Sequence, residues 1–217
     1  LIGLVGSEMC IRDRAKTGKN SSEWLPLLQH LQYTADIMSC LCDEFLSPSF
    51  AKACGLEENE FKKLAIFLAA VHDIGKAIVV FQYKIGDKLP ERKSALEASG
   101  INFDVSHDKG KAKQTPHAFA GEEILNLLGC PECVSTVVGS HHGVPAESVQ
   151  DLSWPQEDIA FYENYYGRDK ENVEVLQDIW QTIFDMALDY AGFLDVSELP
   201  DIDRSSPVSY THLTLPT

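Results

Sequence analysis

The chain has 217 residues, 44% of them apolar, and a formal net charge of −15 at pH 7. That apolar share fits one globular domain with a substantial core and excludes a disordered chain, and no run is long enough to span a membrane. The acidic balance excludes a domain that grips nucleic acid through a broad basic face, although bound metal ions reverse the local charge where a phosphate must sit.

Residues 4–13 (LVGSEMCIRD) and 207–217 (PVSYTHLTLPT) resemble translations of the two opposite strands of one sequencing-adapter oligonucleotide. Residues 1–14 and 207–217 are therefore expected to be adapter-derived, the alternative being a native tail at each end, and residues 15–206 to form the domain. Cys10 and His212 then drop out of the chemistry.

From residue 22 to 45 the apolar positions Leu27, Leu28, Leu31, Ala35, Met38, Leu41 and Phe45 recur at three- and four-residue steps, which predicts a helix. Ser21 or Ser22 is the expected cap, with Pro26 in the first turn. A second helix is expected over 57–71, running into His72-Asp73-Ile74-Gly75-Lys76. Residues 83–114 are polar and poorly periodic, an extended loop with a short helix around 90–98. Helices resume at 116–128 and at 131–141. A loop with Gly143, Pro145 and Pro155 precedes a long helix over 172–191, which Gly192 stops. No segment alternates convincingly as a strand, so the fold class is all-α, a helical bundle with long connecting loops.

Cys40, Cys42, Cys54, Cys130 and Cys133 are odd in number and scattered in spacing, which does not suggest a disulfide framework and fits a reducing cytoplasm. Cys130-Pro131-Glu132-Cys133 is a single CxxC without a second pair, read as a helix start rather than a zinc ribbon.

The sharpest chemical signal is His72-Asp73 at the end of an apolar helix. Adjacent helical side chains diverge by about 100°, yet imidazole and carboxylate can converge on an ion when the helix packs against others, and a carboxylate can bridge two. Gly75 permits close approach of a backbone or a phosphate. Lys76 can contact a phosphate as a point charge. The plainer alternative is a buried His72 bonded to a helix carbonyl, with Asp73 as a cap. A second HD dipeptide, His107-Asp108, lies in the polar loop and reads as solvated. Setting His212 aside from the seven histidines leaves six, and five of these (His30, His72, His117, His141, His142) fall on or at the ends of predicted helices. A shared metal centre explains them together, since a bundle builds metal sites from facing helices.

At these residues the chain resembles the HD superfamily of metal-dependent phosphohydrolases, and more closely the N-terminal nuclease domain of the CRISPR-associated helicase–nuclease of type I, especially type I-E, systems. Ala15-Lys16-Thr17 resembles that family's start. Trp24-Leu25-Pro26-Leu27 through His30, then Thr34-Ala35, resembles its first ligand motif. His72-Asp73-Ile74-Gly75-Lys76 with Phe81-Gln82-Tyr83-Lys84 resembles a longer stretch. His117-Ala118-Phe119-Ala120-Gly121 is similar to its HxxAG motif, and Gly139-Ser140-His141-His142-Gly143 to its GHHG motif, with Ser140 added.

The resemblance implies one ion on His30, His72 and Asp73 and a second on His117, His141 and His142, with Asp73 bridging and Lys76 holding phosphate. It implies two divalent transition-metal ions (iron, manganese, cobalt or nickel), a single-stranded DNA substrate, a helicase domain in cis, and an RNA-guided CRISPR surveillance complex as partner. It also implies a further Asp in an ADWxxS-like motif. That motif is not found, Ala187-Leu188-Asp189-Tyr190 being only superficially similar, and the ligand is expected beyond the junction with the C-terminal tail. Phe81, Tyr83, Trp154, Phe161, Tyr165 and Tyr166 are candidate base-stacking aromatics, each otherwise a core residue. The competing functional readings are a nucleotide-type HD phosphohydrolase and an inert metal-binding module.

Overall fold

A computed structural model describes residues 14–17, 24–45, 48–86, 90–98, 100–103, 115–142 and 159–202. Residues 1–13 and 203–217, His107-Asp108 and the loop with Gly143, Pro145 and Pro155 lie outside these residues. The described residues form a helical bundle with one small strand pair. In chain order they are β1 (Arg14–Thr17), β2 (Trp24–Pro26), α1 (Leu27–Glu44), α2 (Pro48–Ala53), α3 (Glu58–Val71), a 3₁₀ turn (Ile74–Lys76), α4 (Val79–Gly86), α5 (Pro90–Ala98), α6 (His117–Leu127), α7 (Glu132–Gly139), α8 (Ile159–Tyr166), α9 (Glu171–Ala191) and a second 3₁₀ turn (Val196–Glu198).

The all-α expectation holds for the body of the chain, with one correction at its start. The first helix begins at Leu27, not at residue 22, because Trp24–Pro26 pairs antiparallel with Arg14–Thr17. Proline biases the residue before it away from helical backbone, so Leu25 stays extended and Pro26 (φ −55°, ψ 145°) marks the boundary. The strands are only 4 and 3 residues long, too short for alternation to show.

Helix α3 is the centre of the bundle. Its start is fixed by reciprocal bonds between Glu57 and Glu60, a capping box made with two glutamates. Every residue from Leu64 to Val71 is buried, so it is apolar all round, as an enclosed helix must be. Leu27, Leu31 and Ala35 of α1 close one side of this core. Helix α9 closes another through Ile183, Phe184 and Ala187, with Phe184 edge-on to Phe67 at 5.6 Å between ring centroids. Gly192, at φ +82°, ends α9 in the left-handed conformation, and its carbonyl accepts a hydrogen bond from Lys63.

Two helices depart from expectation. Helix α4 occupies the start of the expected loop, and α8 precedes α9. The CxxC acts as a helix start: Pro131 precedes α7, Cys130 and Cys133 are buried, and Cys133 Sγ accepts the Ile202 N–H at 3.3 Å. Burial, and then the neighbouring Cys133, push the Cys130 thiol up to about 12. No described helix is long and apolar enough to cross a membrane.

Candidate metal centre

Five elements bring His30, His72, Asp73, Lys76, His117, His141 and His142 to one place. Helix α3 ends at Val71, and Asp73 leaves helical geometry at φ −109°, ψ 15°. That break lets the adjacent His72 and Asp73 side chains converge. The turn that follows lies directly on α6. A Cβ on Gly75 would sit 1.9 Å from the His117 carbonyl oxygen and 2.4 Å from the Gly121 nitrogen. Only glycine allows this approach, and it sets His117, the first residue of α6, beside Asp73. Gly121 faces back toward Gly75, and a Cβ there would meet Val138 of α7 at 3.1 Å. On the other side of the same helix pair, buried Glu122 lays its carboxylate against Gly139, where a Cβ would fall 1.8 Å from Oε2. Helix α7 is thereby held where His141 and His142 leave its end. Gly121 and Gly139 thus make room for side chains between the facing helices.

Asp73 is the hub, at 3% exposure. Its Oδ2 lies 2.9 Å from His30 Nε2, 3.2 Å from His72 Nε2 and 2.5 Å from Lys76 Nζ. Its Oδ1 lies 3.2 Å from His117 Nε2 and 3.7 Å from His141 Nε2. His142 Nε2 is 2.8 Å from His117 Nε2. Two sets of side chains have donor atoms close enough to share one ion each: His30, His72 and Asp73, and His117, His141 and His142.

The donor chemistry fits metal. His72 Nδ1 donates to the Ala69 carbonyl at 2.8 Å, and His141 Nδ1 to the Val138 carbonyl at 2.6 Å. Such bonds fix the tautomer and leave the Nε2 lone pair as a ligand. His72 Nε2 then faces Asp73 Oδ2 as one acceptor against another, an arrangement that a cation between them reconciles. His141 Nε2 is buried with no hydrogen-bond partner among the described residues, aimed into the cluster. The expected alternative for His72, a ring bonded to a helix carbonyl, is also met, since one nitrogen does each job.

Electrostatics agree. Burial works against ionising Asp73, but hydrogen bonds from His117 and then His30 outweigh it and hold the carboxyl well below the usual carboxylate range. Burial carries the His141 imidazole down to about 4, although the bond to Val138 opposes this. Burial and then the His117 charge lower His142. Both rings are therefore neutral, ligand-ready bases near pH 7.

The aromatic candidates separate. Phe81 lies edge-on to His117 at 5.6 Å, beside the centre. Tyr83 has Lys93 Nζ 5.7 Å from its ring centroid. Tyr165 and Tyr166 are buried against Trp180, which makes them core residues. Trp154 and the side chain of Phe161 lie outside the description. Asp189 is exposed on α9 and joins neither donor set. Two positioning residues escaped the sequence reading. Gln82 Nε2 donates to the Lys76 carbonyl and Trp180 Nε1 to the Ala77 carbonyl, both at 2.7 Å, and together they hold the turn that carries Lys76. A buried indole N–H needs an acceptor, but nothing in the sequence names which one.

A family model described as Cas3, HD domain, matches residues 15–214. The chain belongs to the Cas3 HD-domain family. It is 34% identical to the CRISPR-associated nuclease/helicase Cas3 of Streptococcus thermophilus, over 92% of this chain and 23% of that protein. It thus spans less than a quarter of that relative. Among solved structures it is similar to T. fusca Cas3, with a TM-score of 0.62 at 22% identity over 88% of this chain and 20% of the other. It is also similar to a chain of a CRISPR RNA-guided surveillance complex in a pre-nicking state, with a TM-score of 0.60 at 22% identity over 84% and 21%. At that identity the likeness shows the Cas3 HD fold alone.

Proposed function

We propose that this domain is a metal-dependent nuclease that hydrolyses phosphodiester bonds of single-stranded DNA in type I CRISPR interference. The observation that carries the reading is a single buried carboxylate, Asp73, with a separate set of imidazoles on each of its two oxygens. This is how a bridging ligand for two ions is built. His30, His72 and Asp73 would hold one ion, and His117, His141, His142 and Asp73 the other. Five imidazoles and one carboxylate favour a transition metal such as iron, manganese, cobalt or nickel over magnesium.

Such ions, when bound, supply Lewis acidity that activates water and offsets charge on the attacking and leaving oxygens. The chain's own residues do the rest. Asp73 stays ionised because His117 and His30 hydrogen-bond to it. The Ala69 and Val138 carbonyls orient His72 and His141. Lys76 adds a positive charge beside Asp73 that can hold a phosphate oxygen. Phe81 offers a ring beside His117 on which a base can stack.

The acidic overall charge is compatible with this role if a basic track comes from elsewhere in a longer protein. The Streptococcus thermophilus relative is named a nuclease/helicase, and a similar chain sits in a surveillance complex. We take a helicase domain in cis and that type of complex as the partners, and the cytoplasm, with its free thiols, as the setting.

The test is a substrate comparison with manganese, cobalt or nickel, using single-stranded DNA, duplex DNA and free nucleotides. Turnover of single-stranded DNA above the other two is expected. Turnover of nucleotides alone would transfer the centre to a nucleotide phosphohydrolase, and metal binding without turnover of any substrate to an inert module.

A further inference from the structure

Resting on this two-ion reading, we infer that Lys76 sets the order in which the ions bind, keeping the His30–His72–Asp73 group the weaker of the two. The two oxygens of Asp73 have different neighbours. Oδ1 meets only imidazoles among the described residues, His117 at 3.2 Å and His141 at 3.7 Å. Oδ2 meets His30 and His72 but also the Lys76 ammonium, which is its nearest partner at 2.5 Å.

An ion held by His30, His72 and Oδ2 must share that oxygen's lone pairs with Lys76 Nζ, and its charge stands close to the ammonium. The side chains of Lys76 and Asp73 are only 12% and 4% exposed, so solvent screens the repulsion poorly. Retreat is restricted, because Gln82 and Trp180 bond the carbonyls of Lys76 and Ala77 and fix the turn. The Lys76 charge reaches His142 as well, but among the described residues the His117–His141–His142 group shares no carboxylate oxygen with the ammonium. It offers three imidazoles and Oδ1 to its ion, against two imidazoles and a shared oxygen on the other side.

The test is a manganese titration of the chelator-treated 217-residue chain, with free and bound ion separated by equilibrium dialysis and counted by electron paramagnetic resonance. The wild type shows one tight and one weak class, and His141→Ala removes the tight one. Lys76→Met tightens the weak class by roughly tenfold or more and leaves the tight class in place. Lys76→Arg keeps the wild-type pattern. Thermal melts establish that each variant is folded, and Lys76→Gln replaces Lys76→Met if the latter is not. Two wild-type classes with no tightening in the Lys76→Met or Lys76→Gln variant would overturn the role of Lys76 while leaving the metal centre intact. No manganese bound by the wild type would overturn the metal centre and this inference together.

Discussion

The two sides of the Asp73 carboxylate are supported by different kinds of packing. On the Oδ2 side, His30 and His72 stand on α1 and α3, which meet through ordinary apolar side chains such as Leu27, Leu31 and Ala35. On the Oδ1 side, His117 is placed by the turn backbone touching the α6 backbone at Gly75, and His141 and His142 by α6 and α7 closing over Gly121 and Gly139, where the Val138 and Glu122 side chains leave no room for a Cβ. Side-chain packing relaxes around a small change, whereas a backbone contact at glycine distance does not. The Oδ1 side should therefore be the less tolerant of substitution.

Gly75→Ala should show this most strongly. Its Cβ would meet the backbone of α6, so the helix must shift and take His117 with it. A loss of about 3 kcal/mol or more in urea-unfolding stability is expected, with loss of the tight ion. Leu31→Val, on the other side, should cost about 1 kcal/mol and leave both ions bound. Similar metal loss in both variants would break the contrast.

Behind the Oδ1 side, Glu123 provides a pH-dependent probe. Burial, and then the charge of Glu122, raise its carboxyl to about 7. The folded state then holds a proton that the unfolded chain releases near its ordinary value of 4.5. Stability contributed by this group is full below that ordinary value, falls as pH rises toward 7, and is flat above it. Glu123→Gln should remove this slope and stabilise the protein by about 1–3 kcal/mol at pH 8, read from urea midpoints at several pH values. An unchanged slope would mean that Glu123 is ionised in the fold.

The smallest effect is expected far from the centre. Asp43 and Lys62 form an exposed ion pair between α1 and α3. Asp43→Ala should change stability by less than about 1 kcal/mol and leave metal binding untouched.

The seven side chains that the fold brings together stood out in the sequence because their chemistry is unusual for a core. Histidines at the ends of apolar helices need an explanation that leucines in the same places do not. The long helices were legible from their spacing, and α9 from its spacing and Gly192. What stayed hidden depended on partners distant in sequence. Helix α4 (VVFQYKIG) is short and its polar residues, Gln82 and Lys84, fall on different faces, so it shows little 3.6-residue pattern. The strand pair at the start has too few residues to alternate, and α8 is a short aromatic run. Gln82 and Trp180 act through carbonyls of the turn after His72-Asp73, and carbonyl direction is not written in side-chain identity. Gly75 was flagged for close approach, but that the approaching group is the α6 backbone emerged only from the fold.

The most direct test of the central claim is nicking of circular single-stranded DNA by this chain with manganese, cobalt or nickel, beside Asp73→Ala. In the proposed centre both ions share Asp73, so we expect metal-dependent nicking that the substitution lowers by about a thousandfold or more, with no nicking after chelation. Nicking that survives in Asp73→Ala, or that needs no metal, would contradict a nuclease centre bridged by this carboxylate.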